Sequence, residues 1–163
     1  MRLRVLAALV LCTIATSCAT VPPIETPSGR PECTVAGTSA ADVQAYCLER
    51  FVGNGWMLKS QTSNQLVFWK ENESELQNVL LGSAYDPTTT NEVRLVFTSA
   101  GGGTRVLGQV ALVGNEGSAF ERRDDLTSGR SGYELWQALR QIADHFTPGQ
   151  PATTAATTTA AAK

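Results

Sequence analysis

The stretch "NEVRLVFTSAGGGTRVLGQVALVG", Asn91 to Gly114, decides the fold. On each side of "AGGG" apolar residues alternate with polar ones, the period of a strand with one buried face. Val93, Leu95 and Phe97 share a face in the first arm, and Val106, Val110 and Leu112 are expected to pair with them. The glycines read as a hairpin turn. A phosphate-binding loop would end in Lys-Ser/Thr and open a helix, whereas this one joins two strands.

Working outward, "WMLKS" and "QLVFWKE" flank the polar "QTSN" and read as a second hairpin. In its second arm Leu66 and Phe68 point one way, Val67 and Trp69 the other. A strand apolar on both faces is central, or shows one aromatic to a partner; the core role is the expectation. Before this hairpin, Ser39 and Asp42 form a capping box for a helix that Gly53 stops. Val43, Cys47 and Phe51, with Tyr46 beside them, give it one apolar face. After the decisive stretch, "NEGSAFERRDDLTSGR" reads as a loop. Ser131 with Glu134 caps a last helix carrying Leu135, Trp136, Leu139, Ile142 and Phe146. In "NESELQNVLLGSAYDP", Leu76, Val79 and Leu80 have helical spacing, which predicts a short helix between the hairpins. The fold class is α+β: an antiparallel sheet of about four strands, with N- and C-terminal helices packed on one face.

A length of 163 residues with 42% hydrophobic content sets one domain with a real core. The formal charge of −2 and the lack of a basic stripe point away from nucleic acid. The longest apolar run, Val5 to Leu11 with Ile14, is well short of the roughly 20 residues of a membrane span. It follows two arginines and precedes the small residues of "ATS", the layout of an export signal.

"ATSC", Ala15 to Cys18, resembles the lipobox of bacterial lipoproteins, with Ala15 where that family usually has Leu. The resemblance covers about the first 20 residues and no more. It implies cleavage before Cys18, a diacylglycerol on the Cys18 thiol and an acyl chain, such as palmitate, on its freed amine. Two or more chains hold a protein stably on a bilayer. Ala19 after the cysteine implies the outer membrane, facing the periplasm.

On that reading residues 1–17 are a signal peptide and 18–38 a Pro-rich tether. The folded domain is 39–146, and 147–163 is a Thr/Ala-rich tail with nothing to bury, expected to be disordered. Cys12 leaves with the signal and Cys18 is acylated. Cys33 and Cys47 remain as an even pair in an oxidising compartment. A disulfide between them would close about 14 residues, worth on the order of 3 kcal/mol. The alternative is that Cys47 is a small buried apolar residue.

No catalytic signature accompanies these elements. The single histidine, His145, ends the last helix, where its cation suits the negative pole. No GxSxG elbow surrounds a serine, and two cysteines with one distant histidine do not make a zinc site. "ENESE" matches no calcium loop. Neither metal nor cofactor is expected, and no enzyme activity. One echo stands out: "GSAYD", Gly82 to Asp86, and "GSAFE", Gly117 to Glu121, both leave an apolar run for a loop. Similar turn chemistry accounts for it; the functional alternative is two adjacent loops that offer Tyr85 and Phe120 to a partner. The expected function is that of a non-catalytic, lipid-anchored envelope protein that binds or scaffolds another envelope component. A periplasmic carrier or sensor of small apolar ligands is the alternative, and a carboxylate-dependent cell-wall enzyme a distant third.

Overall fold

The computed structural model describes residues 21–72 and 89–147. The decisive stretch forms β4 (Thr89–Ala100) and β5 (Gly103–Gly114), antiparallel along their whole length. Gly101 and Gly102 make the turn with φ of 54° and 83°. Two consecutive positive φ values are what a two-residue hairpin needs to follow strand twist, and glycine adopts them without a Cβ clash. The register sets Val93 opposite Val110 and Phe97 opposite Val106, so the two apolar sets share a face as expected, while Leu95 meets Gly108 and Leu112 meets Asn91.

The second hairpin is β2 (Met57–Thr62) and β3 (Gln65–Glu71). Its turn is shorter than expected, because Gln61 and Thr62 pair with Leu66 and Gln65. β3 lies between β2 and β4, the central place that its two apolar faces require.

Two further strands raise the sheet from about four to six, all pairings antiparallel. β1 (Glu32–Ala36) falls inside the expected tether, so the folded domain begins before Ser39. β6 (Arg122–Asp125) falls inside the expected loop. The order is β1-β5-β4-β3-β2, and β6 also pairs with β5. β1 takes the first half of β5 and β6 the second half, end to end along one edge. Neither has a strand's apolar pattern. β1 has Val35 buried and follows a buried Pro31, whose carbonyl accepts from Gly108 N at 2.7 Å. A proline just before an edge strand needs no ladder donor, so its presence did not argue against one.

Helix α1 (Ala40–Gly53) opens as expected: Ser39 Oγ accepts from Asp42 N at 3.2 Å and donates to Asp42 Oδ2 at 2.6 Å. It runs through Gly53 and ends at Asn54, whose N–H donates to Arg50 O and Phe51 O. Helix α2 (Arg130–His145) starts two residues earlier than the expected capping box at Ser131. Gly129 is its N-cap and has no side chain to cap with, and Glu134 pairs with Arg130 at 2.9 Å.

Both helices pack on one face. Phe51 of α1 stacks on Phe68 of β3, ring centroids 4.7 Å apart. Leu135 and Leu139 of α2 close over Gly108, where a Cβ would lie 2.6 Å from Leu135 Cδ2. Leu66, Leu95 and Gly108 form one cross-strand row, which places these contacts on the same side of the sheet. The apolar core lies between that side and the helices. The expected signal peptide, Cys18, Tyr85, the short helix expected around residues 76–80 and the tail from 148 on lie outside the described residues.

Candidate functional site

Alternation that sends Val93 and Leu95 to the helices sends Glu92 and Arg94 to the opposite face. Among the described residues no helix covers that face. In register across it run Trp69, Glu92, Ala111 and Asp125, from β3, β4, β5 and β6. Trp69 is half-buried and stays outside the helix-side core, which corrects its expected core role. Met57, opposite Trp69 on β2, is 57% exposed.

Glu92 is the centre of this face. It is 3% exposed, an unusual place for a carboxylate unless its charge is matched. Three cations match it. Arg123 of β6 reaches it with two nitrogens, Nη1–Oε1 at 2.5 Å and Nη2–Oε2 at 3.4 Å. Lys59 Nζ, carried to this face by the irregular register at Leu58 and Ser60, lies 2.9 Å from Oε2. Arg94 Nη2 stands 3.5 Å from Oε1. Burial works to raise the Glu92 pKa, but the hydrogen bonds from Arg123 and Lys59, and their charges, hold it below the ordinary carboxylate value. Glu116 extends the network by pairing with Lys59, and Glu121 lies 3.5 Å from Arg123.

Beside this network lies a groove of about 490 Å³. It exists because the short Ala111 sits among long neighbours: Gln109, Arg94, Arg123 and Asp125 line it, and Arg30 reaches it from the segment before β1. Asp125 Oδ1 accepts from Thr127 N at 2.8 Å, and that contact holds its carboxyl low. Thr127 is buried and bonds Val110 in both directions, which fixes the end of β6. A second, more apolar cavity of about 310 Å³ opens between the sheet and the helices, lined by Phe51, Trp56, Val93, Leu135 and Ala138.

The residues singled out from sequence are spread over both faces. Cys33 of β1 and Cys47 of α1 are free thiols here, where a bridge was expected. They sit in one apolar cluster, Cys47 within it and Cys33 against it. Burial pushes both thiols up to about 12, with Cys47 raised further by the charge of nearby Cys33. Phe120 is 83% exposed on the loop between β5 and β6. The chain that leads to Tyr85 departs after Asn72 and returns at Thr89, and Thr89 pairs with Gly114, where the Phe120 loop begins. The two loops therefore leave from the same end of the sheet. His145 stacks on Tyr46 with centroids 4.0 Å apart, a packing role at the end of α2.

Glu92, Arg94 and Arg123 were not singled out from sequence. The alternation of "NEVRLVF" carried part of the signal, since it sets two opposite charges on the face away from Val93. Nothing local in "ERRDD" reveals a strand, so the partner from β6 was hidden. These features define a two-layer α+β domain with one sheet face under helices and the other charged and open to solvent among the described residues. No family model, curated protein or solved structure matches this chain.

Proposed function

We propose that this protein is an envelope lipoprotein, anchored through acylated Cys18 at the outer membrane and facing the periplasm, that acts as a non-catalytic binding module for another envelope component. The observation that carries the binding part is β3. Its second face, opposite the helices, presents half-buried Trp69 over buried Val67, continues to exposed Met57 and borders the Glu92 network. Half-buried aromatics beside ordered charge are the usual make-up of an interface. Phe120 adds an exposed aromatic, and with Tyr85 it forms the second proposed contact. The anchor supports the same reading, because tethering is useful where the task is positioning.

Photo-crosslinkers placed at Met57 and Trp69 in intact cells test the binding reading. A reproducible envelope partner that is absent when the probe sits at Gln137 on α2 is the expected result; no partner at either place defeats it. Unchanged capture by a folded Tyr85→Ala, Phe120→Ala variant removes the two loops from the proposal. Intact mass of membrane-extracted protein checks the anchor: acyl chains on Cys18 are expected, and a water-soluble product cut elsewhere refutes it.

The cavity by Phe51 and Trp56 favours a second reading, a carrier of small apolar ligands. Native mass spectrometry of protein purified from cells separates the two, because a carrier retains a small apolar molecule.

A further inference from the structure

The groove over Ala111 has a charge pattern that its own contacts do not use up. Arg123 is committed to Glu92 through both terminal nitrogens. Arg94 touches Glu92 with one nitrogen, at 3.5 Å, the outer limit of a hydrogen bond. A guanidinium has five N–H donors, so most of those of Arg94 remain for something else. Arg30 forms no ion pair among the described residues and lies near enough to Asp125 for its charge to be felt there. The lining thus holds Arg30 and Arg94 with donors to spare, while Arg123 is taken up by Glu92 and Glu121.

We propose that this groove binds a peptide carboxylate, seated on the guanidiniums of Arg30 and Arg94 above Ala111. The open donors of Arg94 and the charge of Arg30 suit an anion, and the planar guanidinium fork fits a carboxylate through paired hydrogen bonds. A phosphate dianion fits worse, since it would meet the Glu92 and Asp125 carboxylates in the same wall. Gln109, which borders the groove, has both a donor and an acceptor for the adjoining peptide group. Trp69, in the same cross-strand row as Ala111, gives the rest of the peptide an apolar surface. Glu92 is a positioning residue: fixed by Lys59 and Arg123, it orients Arg94 before the ligand arrives.

This inference rests on the binding reading above and names the chemistry of what is bound. Its test is a calorimetric titration of the protein as purified from cells, with N-acetyl-Ala-Glu-Ala-amide as the probe. The isosteric glutamine peptide and inorganic phosphate serve as comparators. The acidic peptide is expected to bind at least tenfold more tightly than the glutamine peptide. Arg94→Gln and Arg30→Gln are each expected to weaken it about tenfold, the scale of one charge-assisted hydrogen bond. Arg30 lies outside every strand and helix, so its variant keeps the test valid even where Arg94→Gln disturbs the sheet. Equal binding of both peptides, tighter binding of phosphate, or full affinity in the Arg30→Gln variant overturns the proposal. A cellular partner still crosslinked to the Arg30→Gln, Arg94→Gln variant also overturns it while leaving the broader reading intact. Absence of any partner for the unsubstituted chain defeats the broader reading, and the titration then decides the groove alone.

Discussion

Glu92 shows how one residue can be charged, buried and stable at once. Its carboxylate gains from Arg123 and Lys59 more than burial costs it, so its folded-state pKa lies below the usual value of 4.5. A depressed carboxyl stabilises the fold fully above its unfolded pKa, and that contribution is lost as pH falls through the folded value. Glu92→Gln should therefore cost about 1–2 kcal/mol near neutral pH, the low end for a buried charge whose partners are half-solvated. Urea midpoints measured between about pH 3 and 7 should converge for the two proteins at the acid end. A constant gap across that range would mean the loss comes from packing and not from charge. Two glycines give a sharper contrast at the same scale. A Cβ on Gly132 would lie 1.7 Å from Thr127 O, a backbone atom with no rotamer to change, whereas one on Gly53 meets nothing within 4 Å. Gly132→Ala should destabilise by about 2–3 kcal/mol through overpacking, and Gly53→Ala should stabilise by up to about 1 kcal/mol through helix propensity. Thermal melts that moved the two variants in the same direction would contradict this placement of the Thr127 turn against α2.

The elements differ in how openly the sequence announced them. β3, β4, β5, α1 and α2 bury apolar residues at a regular period, and that period is what a sequence displays; the hairpin of β4 and β5 was legible in its arms, its turn and its buried face. β1 and β6 are held by the edge of β5 through backbone hydrogen bonds, which leave little mark on side-chain composition. The Glu92 site inherits that blindness, since Arg123 comes from β6. The Cys33–Cys47 pair belongs to this scale too, because it would join β1 to α1. Bridge formation releases two protons and passes two electrons to an oxidant such as a disulfide-donating protein. With both thiols raised to about 12, little thiolate is present in the folded chain, so closure is expected before folding is complete. Protein folded under oxidising conditions should therefore lose about 3 kcal/mol of stability on reduction. After reduction and refolding it should react with a thiol reagent far more slowly than when unfolded. Equal rates would show that the pair is not enclosed as described.

At the scale of the whole molecule, β1 makes the segment before Ser39 part of the fold and not merely a spacer. Val35 is 2% exposed and Pro31 is buried, so the domain's own core begins well before Ser39. β1 also covers half of one edge of β5, and Arg105 of β5 pairs with Glu32 of β1. A chain beginning at Ser39 would lose all of this. Its β5 would offer unpaired backbone groups at an edge next to the apolar core, the arrangement most prone to pairing between copies. Burial of Val35 alone is worth about 1.5–3 kcal/mol, and the lost ladder adds to it. A chain beginning at Val21 should unfold in one cooperative step and remain monomeric. The chain beginning at Ser39 should unfold at a markedly lower urea concentration and associate as its concentration rises. Sedimentation and urea titration of the two side by side check both expectations, and equal stability of the shorter chain would return β1 to the role of a tether.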